Sequence, residues 1–219
     1  MKLIGITSSP KGEKSATLKL AKAFAEGAQR AGADVELVDV CRLKIGYCKA
    51  CDVCHRSGRC IHKDDFAALR DKLLQADGVM LSSPNYFRTV TAQLKTMLDR
   101  MSDMIHLQRF TGKYACSLAT AGGPNAAEVT QYLDEVLISL GALVVGNVVA
   151  SVGGGPQPLA EAEPKARALG EEMVSAISQR RVYPEQQERH RQTDSYFRRL
   201  VEFNKDRWPF EYEFWAKVR

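Results

Sequence analysis

The chain has 219 residues, 45% of them hydrophobic, and 31 Lys and Arg against 26 Asp and Glu give a formal charge of +5. That length buries one full core with room for an appendage. No apolar run reaches the roughly 20 residues that cross a bilayer, the apolar stretch after Met1 and Lys2 is too short for a secretory leader, and the cations are interspersed with acids instead of clustered as nucleic-acid binding requires; a cytoplasmic protein, with neither membrane nor nucleic acid as partner, is expected.

Leu3 to Ile6 reads as a strand buried on both faces and runs into the polar turn Thr7 to Gly12. From Ser15 the apolar period becomes helical, with Leu18, Ala21, Phe24, Ala25 and Ala28, and a second strand follows over Val35 to Val40. After a cysteine-rich stretch come a helix from Asp64 to Gln75, a third strand at Val79 to Leu81, a loop from Ser82 to Arg88 and a helix carrying Leu94, Met97 and Leu98. Tyr114 to Thr120 is the fourth strand and Ala126 to Leu140 a helix; Leu143 to Ala150 is the fifth strand, followed by a charged helix from Leu159 to Gln179. Strands alternating with helices require a parallel sheet covered on both faces, a doubly wound α/β fold. The core is placed in residues 1–180 with a cysteine-rich insertion at 41–63, and 181–219 is a C-terminal extension with a helix near Asp194 to Lys205 and an extended end.

Ligands of such sheets bind beyond the carboxyl ends of the strands, which singles out three loops. Ser9-Pro10-Lys11-Gly12 through Thr17 joins a strand to a helix start, where free backbone N–H groups favour a phosphate. It has neither the spacing of a P-loop nor that of a dinucleotide turn, and an ordinary helix cap at Ser15 explains the loop equally well. Ser83-Pro84-Asn85-Tyr86-Phe87 offers aromatic rings and an amide to a flat heterocycle, or plugs the core. Thr120-Ala121-Gly122-Gly123 has glycines where backbone approaches a ligand closely or takes positive φ.

Cys48, Cys51, Cys54 and Cys60 crowd one segment, a density that in a reducing compartment argues for metal rather than disulfides. Three ligands at spacing three plus a fourth suit a [4Fe-4S] centre. Four-cysteine zinc sites separate two pairs by a longer loop, so zinc, and thiols without metal, are the rivals. Cys41 and Cys116 read as small buried hydrophobes. His55 and His62 read as solvated loop histidines, because four cysteines suffice, and His106 and His190 receive no role.

Ser9-Pro10-Lys11 with Ser15 and Thr17, then Ser83 to Phe87 followed by Gln93-Leu94-Lys95 and Asp99-Arg100, resembles the flavodoxin-like NADPH-dependent FMN reductase family over about Met1 to Val152. The resemblance implies a five-stranded parallel sheet of order 2-1-3-4-5. It also implies FMN, its phosphate held by Ser9, Lys11, Ser15, Ala16 and Thr17, its ring lined by Pro84, Asn85, Tyr86 and Phe87 and covered at the other edge by Thr120, Ala121, Gly122 and Gly123. Lys95, Asp99 and Arg100 are a structural signature of the following helix, Lys95 and Asp99 as an exposed i,i+4 pair. The cysteine segment, with Gly58 before Cys60, looks like that of the iron-sulfur flavoproteins, a branch that implies homodimers or homotetramers with electrons passing between cluster and FMN. The flavin carries such chemistry itself, so no catalytic side chain is named, and Arg88 reads as a solvated charge. The expected protein is an oxidoreductase passing electrons from NAD(P)H or a ferredoxin-type donor to a small acceptor such as a quinone. An electron carrier and a zinc-stabilised flavin-binding interaction module are the alternatives.

Overall fold

A computed structural model describes residues 1–218. Five parallel strands, β1 (Lys2–Thr7), β2 (Asp34–Asp39), β3 (Gly78–Pro84), β4 (Tyr114–Ala121) and β5 (Leu143–Ser151), form one sheet in the order β2-β1-β3-β4-β5. β3 and β4 are buried along nearly their whole length because both faces are covered, which explains their unbroken apolar runs. On one face α1 (Ala16–Arg30) packs against α7 (Gln157–Ser178), with Leu20, Phe24, Ala166 and Met173 inside. The two helices meet so closely that a Cβ on Gly27 would fall 2.0 Å from the Arg167 carbonyl oxygen. On the other face α3 (Phe66–Gln75), α4 (Ala92–Asp99) and α6 (Ala126–Ser139) bury Phe66, Leu73, Leu94, Met97 and Leu133.

Two short helices flank this second face: α2 (Val53–Ser57), inside the cysteine segment, and α5 (Ser102–His106), just beyond α4. The C-terminal region departs from its expected form. It is helical twice, as α8 (Pro184–Phe203) and α9 (Pro209–Lys217), with no extended end among the described residues. Each helix opens on a proline whose fixed φ suits the first turn, followed by Glu185 or Glu211. Tertiary contact overrides the weak pattern: Phe197, Val201 and Trp215 pack on Leu107 in a small core of their own. No helix among the described residues is long and apolar enough to cross a membrane.

Candidate functional site

The order of the sheet reverses at β1, which pairs with β2 on one side and β3 on the other, and a crevice opens beyond the carboxyl ends there. A cavity of about 260 Å³ lies in it, lined by Ser9, Lys11, Ser15, Ala16, Thr17, Pro84, Asn85, Tyr86, Thr120, Ala121 and Gly122, together with Val152 and Gly153. All three loops singled out in the sequence meet at this one place. Phe87 and Gly123 do not line the cavity. Phe87 points wholly into solvent at the tip of a hairpin, where Tyr86 and Thr89 exchange backbone hydrogen bonds of 2.9 and 3.1 Å.

Ser15 caps α1, its hydroxyl accepting from the Leu18 amide at 3.1 Å, so the ordinary cap is real. The cap leaves the amides of Ala16 and Thr17 in the first turn facing the cavity's loop, an anion-ready arrangement. Ser15 and Thr17 are buried, and the Thr17 hydroxyl meets that of Thr120 at 2.6 Å, tying the first loop to the end of β4. The Asn85 amide N–H donates to the Thr120 carbonyl at 2.7 Å and its side chain to the Asn125 carbonyl at 2.8 Å. Phe87 and Arg88 hold φ of 49° and 66°, an uncommon conformation for non-glycine residues that the hairpin imposes. Arg88 pairs with Glu128 at 2.6 Å, an exposed ion pair of little weight.

Neither Gly122 nor Gly123 has the positive φ that is one expected reason for glycine there, and a Cβ on either meets nothing within 4 Å, so they leave open space at the rim. Gly153 packs tightly on this loop: its added Cβ would lie 1.8 Å from the Gly122 oxygen. Val152 and Gly153 were not expected from the sequence. The strand-end rule applied to β5 as well as to β1, β3 and β4 finds them. The donor set, the capped helix start and the open rim suit a planar, phosphate-bearing ligand such as FMN.

The cysteine segment lies elsewhere. α4 begins at the β3 loop, where Thr91 donates its amide to the Ser83 hydroxyl, and ends at Asp99, beside Arg100, whose guanidinium reaches Cys60. Eight residues of helix span about 12 Å, so the cavity and Cys60 lie toward opposite ends of α4. Cys48 and Cys51 are exposed, Cys54 and Cys60 half-buried. Ala50 and Asp52 hold φ of 48° and 59° on either side of Cys51. Left-handed residues of this kind turn successive amides inward into the concavities that hold anions and iron-sulfur centres. Four cysteines within thirteen residues are a donor set that an iron-sulfur centre or a zinc ion could use. Cys116 is fully buried, and burial raises its thiol well above the usual value. Burial, with Asp39 beside it, pushes the half-buried Cys41 up to about 11, so neither is a reactive thiol.

His55 is not a solvated loop residue. It is 5% exposed, and its Nδ1 lies 2.6 Å from Glu211 of α9; His106 Nδ1 lies 3.0 Å from the other oxygen of the same carboxylate. Sequence reasoning missed this because Glu211 is 156 residues away. These three ligand atoms lie within 4.8 Å of one another. The two imidazoles, however, stack at 4.6 Å with 23° between planes, so an ion held in the plane of one ring stands well off the plane of the other. The set is a hydrogen-bonded clamp. Burial opposes the charged form of His55, but Cys54 and Glu211 outweigh it and raise its pKa to about 10. Burial likewise pushes the Glu211 carboxyl up, and the bonds from His106 and His55 outweigh that and hold it below its ordinary 4.5.

A depressed carboxyl contributes stability above its unfolded value and loses it as pH falls through the folded one. The docking of α9 is therefore expected to persist at neutral pH and to weaken on acidification below about pH 4.5. Both tryptophans of the chain report it: Trp208 packs its ring 5.0 Å from His55, and Trp215 is buried in the α8–α9 core. Tryptophan emission titrated from pH 7 to 3 checks this, and an unchanged spectrum below 4.5 contradicts it.

Residues 1–157 match the NADPH-dependent FMN reductase family. An iron-sulfur flavoprotein of Archaeoglobus fulgidus is 33% identical over 220 residues, covering 99% of this chain and 98% of its own. One of Methanosarcina thermophila is 28% identical over 67% of this chain and 78% of its own. Among solved structures, a flavone reductase superposes with a TM-score of 0.67 at 19% identity, over 81% of this chain and 63% of that one. An NAD(P)H:quinone oxidoreductase from Methanothermobacter marburgensis gives 0.63 at 19%, over 79% and 96%. These two likenesses speak for the fold.

Proposed function

The chain belongs to the NADPH-dependent FMN reductase family, in its iron-sulfur flavoprotein branch, and from that premise we propose that this flavin-dependent oxidoreductase carries a second redox centre on Cys48, Cys51, Cys54 and Cys60. It takes electrons from NAD(P)H or a ferredoxin-type donor and delivers them to a small acceptor such as a quinone. The observation that carries the reading is the convergence of three separate loops on one crevice at the point where the sheet order reverses. When bound, FMN supplies two-electron and one-electron chemistry and a cluster supplies one-electron chemistry. The chain's own residues bind and orient. Ser15, Ala16 and Thr17 present hydroxyls and amides to a phosphate, Lys11 adds charge, and the Thr17–Thr120 bond fixes the spacing of the two loops. Pro84 to Tyr86 and Thr120 to Gly122 face each other across the space for a ring.

The separation of the two sites along α4 supports a homodimer or homotetramer in which the cysteine segment of one subunit approaches the flavin of another. The absorption spectrum of anaerobically purified protein, with iron, sulfide and zinc assayed on the same sample, tests the whole reading. Flavin bands over a broad shoulder that bleaches on reduction, with iron and sulfide, are expected; flavin bands with zinc alone overturn the cluster but not the flavin. Thr17→Val is expected to weaken FMN binding about tenfold to a hundredfold. It removes a hydroxyl donor to the phosphate, and a hydrogen bond to a charged group is worth about 1.5–3 kcal/mol. Fluorescence titration of the apoprotein with FMN measures it.

A further inference from the structure

Arg100 is 3% exposed, and its guanidinium is spent on the cysteine segment. Nη1 donates to the Gly46 carbonyl at 2.8 Å and to Asp64 at 2.7 Å; Nη2 donates to the other Asp64 oxygen at 3.2 Å and to Cys60 Sγ at 3.2 Å. Asp64 in turn accepts from the Gly46 amide at 2.9 Å, and the guanidinium lies 4.8 Å over the Phe66 ring. One side chain therefore staples the residues just before Cys48 to those at and after Cys60, closing the segment at both ends.

A buried ion pair with Asp64 accounts for the charge of Arg100 but not for the direction of Nη2. A cysteine sulfur bound to iron carries negative charge, and a guanidinium N–H aimed at it makes a charge-assisted hydrogen bond. Cys60 also differs from Cys48, whose sulfur accepts from the Ala50 backbone amide at 3.4 Å. Hydrogen bonds to ligand sulfurs and the local net charge set the potential of an iron-sulfur centre. A buried donor on one sulfur favours the form carrying one more electron.

Resting on the reading of the four cysteines as cluster ligands, we propose that Arg100 is a positioning residue that orients the Cys60 sulfur and, through its hydrogen bond to that sulfur, raises the reduction potential of the centre bound there.

The test is an anaerobic redox titration of the holoprotein followed by electron paramagnetic resonance, with FMN content measured alongside. In Arg100→Gln the ratio of reduced to oxidised centre at the wild-type midpoint is expected to fall about tenfold, a shift of 59 mV to more negative potential for one electron. Arg100→Lys keeps the charge but offers a point donor in place of a fork, and its shift is expected to be smaller and of the same sign. Lys95→Gln, on the exposed side of α4, is expected to match the wild type. Should the Gln variant not fold, the Lys variant carries the test. Wild-type midpoints in both Arg100 variants, or in the Lys variant alone when the other does not fold, overturn the proposal and leave Arg100 a structural staple. A wild-type protein without iron and sulfide fails earlier and differently: it overturns the cluster reading on which the proposal stands.

Discussion

Cys51→Ala is expected to abolish bound iron and sulfide while FMN stays at the wild-type ratio to protein. Cys51 is exposed, so its loss leaves no cavity, and surface substitutions of this kind change stability by roughly 0.5 kcal/mol or less. What disappears is one of four thiolates that a cubic cluster needs, at the point where the left-handed Ala50 and Asp52 turn the chain. The flavin cavity lies at the other end of α4 and shares no lining residue with residues 48–60. Iron, sulfide and flavin assays on one sample separate the two sites. Retention of iron in the variant excludes the four-cysteine ligand set, and concurrent loss of FMN excludes the independence of the two sites.

Glu211→Ala is expected to cost about 3–5 kcal/mol, the usual result of removing one member of a buried, hydrogen-bonded pair. Glu211 is fully buried and is the hydrogen-bond partner of both His55 and His106. The loss is expected to be local. α9 packs chiefly on α2 and α8, and Arg207, just before it, pairs with Asp52 in the cysteine segment. An element joined to the rest through so few neighbours opens as its own unit. Tryptophan emission should then melt at lower temperature than the far-ultraviolet dichroism of the sheet and its helices, whereas the two transitions coincide in the wild type. A variant whose two probes still coincide at the wild-type temperature contradicts the clamp.

The periodic elements of the sheet domain are legible in the sequence to within a few residues because their patterns are strong. β3 and β4 are continuous apolar runs, and α1 carries its apolar stripe behind a serine cap. That three loops meet at one crevice is legible because the rule that places them depends only on the direction of the strands. Legibility ends where contacts are long-range and the local signal is ordinary. Arg100 reads as a helix-end residue, and nothing nearby in sequence announces its contact with a sulfur 40 residues away. His55 looks like any loop histidine until α9 is in place above it. The extended end expected after Lys205 fails for the same reason: α9 has a weak pattern and owes its helix to Trp215 and Glu211, which are buried by other elements. Gly153 was overlooked because its constraint comes from the backbone of the neighbouring loop and not from its own turn.

The clamp on the cysteine segment also has a place in time. A chain leaves the ribosome at about 5–20 residues per second, so Glu211, 156 residues after His55, emerges on the order of ten to thirty seconds later. During that interval the sheet domain can assemble, but the imidazoles of His55 and His106 have no carboxylate between them, and α2, which carries Cys54, lacks its cover. The cysteine segment is thus translated early and finished late: a chain halted before Glu211 carries α2 without the helix that packs on it.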